Sequence, residues 1–286
     1  MFNSLKASEP IFLRNLIIYP INGDTENGFN PLTIDETLSL KTGKFCELDT
    51  PDINKIIFEN KNTSPVLMLD GEEITGSLQN RIITTSNLVE AESSKDIPVI
   101  CVEEERWEEI GGFKTGYCSY PRIRTILAKS LYKKIDTQRL IWNEINRKLT
   151  ATKTISTTSS MHDIYNNLQA EISRYLEDFH SLNRTTIGLI GVAGNRILGC
   201  DIFLSPKIYR KFENKLISSY VLDAIEYQRK SGNLPDVEKF FASIKSVSKK
   251  KRIKGMSKNI RVKGDGFLGQ ALIYNDCLIH LSAFPV

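Results

Sequence analysis

A short apolar run that ends abruptly in charge is the feature that most constrains this chain. Residues 66–69 are all apolar and are followed by the turn pair Asp70-Gly71, a pattern typical of a short strand buried on both faces. Two more carboxylates follow directly, at Glu72 and Glu73. Removing a carboxylate from water is costly unless cations or donors compensate it. The fold must therefore bring such groups to this strand end.

A polar set follows after a Gly-Ser bend. Gln79, Asn80 and Arg81 offer amide and guanidinium donors that suit either a bound anion or one of the carboxylates. Two interpretations remain open here. The set belongs to a ligand or catalytic site, or Asp70 and Arg81 form a structural ion pair that closes a hairpin while the two glutamates are solvated.

A second apolar run, residues 97–102, ends in charge in the same way, at Glu103, Glu104, Glu105 and Arg106. If the two strands lie side by side, the first acidic group faces Glu103 or Glu105 across a cleft. Arg81 and Arg106 would then supply bidentate donors, and Trp107 a stacking face. The alternative is a solvated turn at 103–109 with Trp107 packed on its own lobe.

Composition narrows the classes of partner. The 38 basic and 34 acidic residues leave a net charge of only +4, which does not favour nucleic acid or an anionic membrane. No apolar run approaches the ~18 residues of a membrane span, and the start of the chain lacks a signal-peptide core. The five cysteines are scattered singly, which fits reduced thiols. We therefore expect a cytoplasmic protein without a membrane partner.

The order of the elements predicts an α+β fold. Strand-like runs dominate up to about residue 105, at 12–19, 55–60, 66–70, 81–84 and 97–103, with a short helix near 35–40 capped by Thr33 or Asp35. Helical spacing follows at 127–149 and at 161–179, the latter with Ser160 as N-cap. We predict a β-rich half, 1–122, that carries the charged cluster, and a half, 123–286, of helices and two hairpins, packed together as one unit.

The second half also contains clear turn and cap signals. Residues 186–203 predict a hairpin turning at Gly194-Asn195, and residues 267–284 predict another turning at Asn275-Asp276. Ser205-Pro206 begins a helix, and Pro235 opens a shorter one. Of the three histidines, His162 and His180 fall off the apolar helix face and are expected to be exposed rather than catalytic. His280, in the last strand, is expected to be a satisfied core residue.

A basic segment near the end attracts anions. Eight cations lie between Lys249 and Lys263, without the interleaved aromatic residues that would stack on single-stranded nucleic acid. A solvated loop at 249–263 is therefore the preferred interpretation. Binding of nucleic acid through this loop is the alternative.

Several of these segments resemble a known family, the first type of ARPP domain, which is associated with ADP-ribosylglycohydrolase and rhodanese-phosphatase genes. The resemblance rests on 67–81, on 97–103 followed by Arg106-Trp107, on 201–205 with 216–224, and on 280–284. The family often has glycine before the Arg-Trp pair, where this chain has Glu104-Glu105. The resemblance implies a cytoplasmic α+β domain linked by gene association to NAD and ADP-ribose metabolism or to conflict systems. By itself it implies no activity.

We predict an enzyme or ligand-handling domain for an ADP-ribose-like or NAD-like nucleotide, with metal-assisted hydrolysis as the candidate reaction and Mg²⁺ or Mn²⁺ as the candidate ion. The predicted catalytic residues are Asp70, Glu72, Glu73 and Glu103. The predicted substrate-binding residues are Gln79, Asn80, Arg81, Arg106 and Trp107. The candidate metal ligands are Asp70, Glu73 and Asp201. The alternatives are a non-catalytic nucleotide sensor and a nucleic-acid-binding protein.

Overall fold

The computed structural model describes residues 5–23, 28–177, 179, 181–227, 233–247 and 257–286. These residues form an α+β fold whose strands are concentrated in the N-terminal half, as the sequence predicts. The strands are β1 (Lys6–Ala7), β2 (Ile11–Leu13), β3 (Leu16–Asn22), β4 (Leu32–Thr33), β5 (Gly43–Cys46), β6 (Lys55–Asn60), β7 (Val66–Met68), β8 (Glu72–Thr75), β9 (Arg81–Ile83), β10 (Asn87–Val89), β11 (Ser93–Cys101), β12 (Lys114–Cys118), β13 (Thr186–Ala193), β14 (Arg196–Phe203), β15 (Lys258–Gly264), β16 (Phe267–Tyr274) and β17 (Cys277–Pro285). The helices are α1 (Ile34–Ser39), α2 (Pro121–Ser130), α3 (Thr137–Ala151), α4 (Met161–Glu177), α5 (Pro206–Ala224) and α6 (Val237–Val247).

Local sequence signals fix several element boundaries. Thr33 caps α1 in a reciprocal box with Glu36, and Ser205 caps α5 ahead of its first-turn proline. Both predicted hairpins form, and the second turns at Asn275 and Asp276, whose φ angles of 48° and 61° suit these residue types. The helical spacing predicted over 127–149 is divided between α2 and α3. The division arises because the Asp136 side chain caps a new helix at the Arg139 amide.

The chain divides into two compact units that interleave along the sequence. The terminal unit contains Met1–Asn30, Tyr120–Lys134 and Ala170–Val286, and the central unit contains Pro31–Ser119 and Ile135–Gln169. The predicted boundary at 122/123 falls inside one of the segments of the terminal unit. Helix α4 begins in the central unit and ends in the terminal one.

The terminal unit is built on an antiparallel sheet with the order β1-β3-β13-β14-β17-β16-β15, in which β2 also pairs with β3. Helix α6 packs on one face through Val237, Phe240 and Ile244. Helices α2 and α5 pack on the other face, where Ala128 meets Leu268 and the Tyr220 ring leaves no room for a side chain at Gly191. The sheet is therefore covered on both faces by apolar helix surfaces.

A buried charge network fastens the second face. Asp201 on β14 accepts two hydrogen bonds from the Arg124 guanidinium, at 2.9 and 2.6 Å, and one from the Tyr220 hydroxyl at 2.9 Å. His280 Nε2 lies 3.1 Å from Asp201 Oδ1, so this histidine is the satisfied core residue that its apolar strand predicts. Burial alone would raise the pKa of Asp201, but Arg124 and His280 hold that pKa below its ordinary value of 3.8. The contribution of Asp201 to the stability of the fold is therefore fully present above about pH 3.8 and is lost as the pH falls through its lowered pKa.

The central unit contains two sheets that share one core. A three-stranded sheet has the order β10-β7-β4, and a six-stranded sheet has the order β12-β8-β9-β11-β6-β5. Met68 and Val89 from the first sheet pack with Phe58, Ile74 and Val99 from the second. Their apolar faces explain why strands as short as β7 are stable here.

The basic segment is only partly a loop. Residues 249–256 lie outside the described part of the chain, but 258–264 form β15, an edge strand paired with β16. Val262 is buried, and Lys258, Arg261 and Lys263 are exposed. The loop prediction is wrong for this stretch because the buried valine and the β16 partner favour a strand, and cations on an exposed edge are a usual protection against unwanted pairing. In the part of the chain that the structure describes, no helix combines the length and apolar character needed to cross a membrane.

The buried network predicts a large effect of one isosteric substitution. Asp201→Asn should lower the free energy of unfolding by about 3–5 kcal/mol, because it removes the carboxylate charge that Arg124 contacts at 2.6 and 2.9 Å in a buried position. The matched control is Asp276→Asn, an exposed turn position in the same unit, with an expected change within about 0.5 kcal/mol. Urea unfolding at pH 7 measures both variants. Equal stability of the two variants would contradict the assigned role of Asp201.

Candidate functional site

The acidic strand end is a crossover between the two sheets of the central unit. The chain leaves β7 in the three-stranded sheet, turns at Gly71 with φ 86°, and enters the six-stranded sheet as β8. Strand β9 lies between β8 and β11, pairing Ile82 with Glu73 and Arg81 with Cys101. The two apolar strands that end in charge, β7 and β11, are therefore in different sheets, and the side-by-side arrangement considered from the sequence does not form. The sequence gives no sign that the turn after β7 changes sheet.

Two of the predicted catalytic carboxylates are engaged by the turn itself. Asp70 Oδ1 accepts a hydrogen bond from the Ser86 hydroxyl at 2.9 Å, and Glu72 Oε2 accepts one from the Leu69 amide at 2.7 Å. Both side chains are fully buried. Their contacts hold the crossover in shape.

Glu73 forms a different contact, with the first turn of α4. Its Oε2 lies 2.8 Å from His162 Nδ1 and accepts a hydrogen bond from the Tyr117 amide at 3.1 Å. Because an ionised carboxylate only accepts hydrogen bonds, Nδ1 is the donor in this pair. Glu73 Oε1 is buried without a partner among the described residues, and a side chain at Gly116 would collide with the carboxylate.

The His162 ring is half-buried, and the acidic groups around it affect its pKa. Its side chain is 30 % exposed, whereas that of Glu73 is not exposed at all. The hydrogen bond to Glu73 raises the pKa of His162 above its ordinary value of 6.5, against the opposing effect of burial, and Asp163 and Glu103 add to the rise. The imidazolium form therefore persists to higher pH than in a free histidine, on a ring that solvent still reaches.

Arg81 is a buried cation whose guanidinium is only partly hydrogen-bonded. Its Nη1 donates to both carboxylate oxygens of Glu47, at 2.9 and 3.0 Å, so the ion-pair partner of Arg81 is Glu47 and not Asp70, the partner in the structural alternative. Arg81 Nε and Nη2 have no partner among the described residues, and the guanidinium lies 5.9 Å from the centre of the Trp107 ring. The Trp107 side chain itself is 50 % exposed.

Glu103 and Arg106 form a second buried pair. Glu103 Oε2 accepts hydrogen bonds from Arg106 Nη2 at 2.6 Å and from the backbone amide of Asn80 at 2.9 Å. Its Oε1 accepts one from the Thr158 hydroxyl. Burial raises the pKa of Glu103, but the hydrogen bonds from Arg106, Asn80 and Thr158 bring it below its ordinary value. Arg106 Nη1 also holds the carbonyls of Ser77 and Glu108. This pair fixes the loop that carries Trp107.

Ser160 links the two groups of charges. Its hydroxyl accepts from the His162 amide at 3.2 Å, which confirms it as the α4 cap, and from Asn80 Nδ2 at 3.3 Å. Asn80 Oδ1 in turn accepts from Arg106 Nη2 at 3.2 Å. A continuous chain of hydrogen bonds thus runs from the start of α4 to the Arg106 pair. Asn80 joins Ser160 to Arg106 in this chain, and Gln79 is buried with one long contact of 3.5 Å to the Glu103 carbonyl.

The candidate metal ligands do not converge. Asp70 and Glu73 lie in the central unit, whereas Asp201 lies in the terminal unit with its carboxylate held by Arg124, His280 and Tyr220. Among the described residues, no group of three or more His, Cys, Asp or Glu side chains is arranged to hold a metal ion. The donor set therefore does not fit a metal held by protein ligands at these positions.

Two site residues were missed by the sequence reasoning. His162 was expected to be exposed, because it falls off the apolar face of α4, but that polar side faces Glu73; His180 lies outside the described residues. A partly useful signal was present, since the predicted cap at Ser160 places position 162 in the first helical turn. Glu47, in the connection after β5, carried no local signal that it would meet Arg81.

Comparison with known proteins points to one family. The family model described as the ARPP-1, ARG and Rhodanese-Phosphatase-superfamily-associated Protein domain matches residues 4–284, nearly the whole chain. No curated protein and no solved structure matches the chain. The segments 67–81 and 97–107, which contribute most of the site, lie within the matched range.

The space at Gly116 predicts a specific electrostatic effect. In Gly116→Ala the new Cβ would lie 2.2 Å from Glu73 Oε2, so the carboxylate must move and the pKa of His162 should fall toward 6.5. Gly112→Ala is the matched control, since nothing lies within 4 Å of its Cβ position. NMR titration of the His162 ring protons, assigned with His162→Gln, measures the shift.

The same titration has a consequence for stability. Because the folded-state pKa of His162 is raised, the stabilisation from its pair with Glu73 is complete below about pH 6.5 and is lost as the pH rises through the folded-state pKa. An unchanged His162 pKa in Gly116→Ala would show that Glu73 does not control this histidine.

Proposed function

Because the chain belongs to the ARPP-1 family, whose name associates it with ADP-ribosylglycohydrolase and rhodanese-phosphatase proteins, we propose that its central unit hydrolyses an ADP-ribose-like or NAD-like nucleotide. In this proposal His162 transfers the proton, and Glu73 orients it. Arg81 and Trp107 bind the nucleotide. Asn80, Glu103, Arg106 and Ser160 hold these groups in place.

The contact between Glu73 and His162 carries the proposal. A carboxylate without exposed surface holds Nδ1 of a half-buried imidazole at 2.8 Å, an arrangement that fixes the ring and stabilises its charged form. An ordinary surface histidine needs no such buried partner. A purely structural pair would leave less of the ring accessible to a ligand.

The raised pKa of His162 indicates which way the proton moves. An imidazolium that persists to higher pH is suited to donate a proton to a departing oxygen while water adds to the atom from which that oxygen departs, and the proton that this water loses restores the imidazolium. Glu73 stabilises the imidazolium through the Nδ1 hydrogen bond. The hydrolysis rate should therefore fall as the pH rises through the pKa of His162.

Recognition of a nucleotide is supported by the surroundings of Arg81. Its guanidinium can receive a phosphate, and the exposed indole of Trp107 next to it offers a flat face for a base. A non-catalytic nucleotide sensor would share these two groups. The sensor would not need the pair of Glu73 and His162, which favours the enzyme.

The experiment compares turnover and binding in three variants. Purified protein is incubated with ADP-ribose and with NAD, with and without Mg²⁺ or Mn²⁺, and products are separated by chromatography. His162→Gln and Glu73→Gln should each lower kcat by roughly 10²-fold or more with little change in affinity, since general acid or base assistance contributes about 10²–10⁴-fold. In Glu73→Gln, the alkaline limb of the pH profile should also move to lower pH.

Glu109→Gln is the matched control, because it removes one carboxylate from an exposed position in the same unit. It should keep the wild-type kcat. Saturable binding without turnover in the wild type would assign the site to a sensor. Absence of both binding and turnover would refute the proposal.

A further inference from the structure

Arg81 retains unused hydrogen-bonding capacity in a buried position. The side chain has no exposed surface, yet Nε and Nη2 have no partner among the described residues, while Nη1 holds Glu47. Buried polar groups are nearly always paired, because an unpaired donor loses its hydrogen bonds to water without replacement. These two nitrogens are therefore available to hydrogen-bond a ligand.

The geometry of the free edge suits one phosphoryl group. Nε and Nη2 lie on the same side of the planar guanidinium and present two parallel N–H groups, which match two oxygens of a phosphate. The Trp107 ring lies close to this group, with its centre 5.9 Å from the guanidinium carbon. A lysine could not reproduce both contacts.

The charges around the edge limit what it can accept. Glu47 already compensates Arg81, and the Ser77 hydroxyl holds Glu47 in place at 2.8 Å. The nearby Arg106 is likewise compensated by Glu103 at 2.6 Å. A phosphoryl group with two negative charges would meet the Glu47 carboxylate without surplus positive charge, whereas a singly charged group meets less repulsion.

We propose that the Nε and Nη2 edge of Arg81 is a subsite for a singly charged, bridging phosphoryl group, such as those within the pyrophosphate diester of ADP-ribose, and that Glu47 discriminates against terminal phosphates. A terminal phosphate carries a second charge, because its second pKa is about 6. This inference rests on the proposed function and names the substrate class of the same site.

Access to the subsite requires the Trp107 ring to move. The guanidinium beneath it has no exposed surface, whereas the ring is half-exposed on a loop that also contains Gly111, with φ 78°, and Gly112. Ligand binding should therefore change the fluorescence of Trp107. The chain has one other tryptophan, Trp142, and the variant Trp142→Phe isolates the signal.

Calorimetric titration of ADP-ribose, AMP and adenosine tests the subsite, because the only phosphoryl group of AMP is terminal. The wild type should bind ADP-ribose more tightly than AMP, and Arg81→Lys should weaken ADP-ribose binding by about 10-fold or more without changing adenosine binding. Glu47→Gln removes the discriminating charge, so the preference for ADP-ribose over AMP should shrink. Arg139→Lys, at an exposed arginine, is the control and should bind as the wild type does.

Two results would overturn the subsite: wild-type ADP-ribose affinity in Arg81→Lys, or equal affinities of the wild type for ADP-ribose and AMP. If thermal melting shows that Arg81→Lys is unfolded, the Glu47→Gln ratio decides, and an unchanged preference overturns the proposal. Loss of hydrolysis with this binding pattern intact would count against the proposed catalysis alone. Hydrolysis that is indifferent to Arg81 and Glu47 would count against the subsite alone.

Discussion

The compensation of buried charge is the constraint on which the central unit depends. The charged side chains there with almost no exposed surface include Glu73, Arg81, Glu103 and Arg106. Burying a charge costs several kcal/mol, so each of these groups requires a partner of opposite sign or several donors. Glu73 pairs with His162, Arg81 pairs with Glu47, and Glu103 pairs with Arg106.

The compensation is complete for some of these groups and incomplete for others. The Glu103 carboxylate receives hydrogen bonds on both oxygens, whereas one oxygen of Glu73, two nitrogens of Arg81 and Nε of Arg106 have no partner among the described residues. Complete pairs rigidify a structure, and incomplete ones mark where a ligand can replace the missing contacts. Ser77, whose hydroxyl holds Glu47, has a φ of 46°, which is unfavourable for a residue with a side chain. Backbone strain of this kind often occurs at functional sites.

Local signals were sufficient to predict much of the fold. Ser205-Pro206 and Thr33 predict helix starts because capping depends on a few neighbouring residues, and Asn275-Asp276 predicts a turn for the same reason. The crossover at Gly71 could not be predicted, since a turn between strands of one sheet and a turn between two sheets use the same residues. The partnership of Arg81 with Glu47 depends on contacts 34 positions apart and leaves no local pattern.

The sequence shows only part of how the charged residues of the central unit are arranged. Glu103 and Arg106 form a pair, and Asn80 contacts both of them. His162 was discounted because helical periodicity identifies the apolar face of α4 but does not show what its polar face meets. Here that face meets a buried carboxylate, a contact that only the tertiary structure brings about.

The central claim is that one nucleotide contacts both the Arg81 edge and the His162 ring, and a single NMR titration tests it most directly. ADP-ribose is added to the wild-type protein while the indole N–H signal of Trp107 and the ring protons of His162 are followed together. The account predicts that both sets of signals shift and saturate at the same ligand concentration. A saturable response at Trp107 with an unmoved His162, even at full occupancy, would contradict the claim.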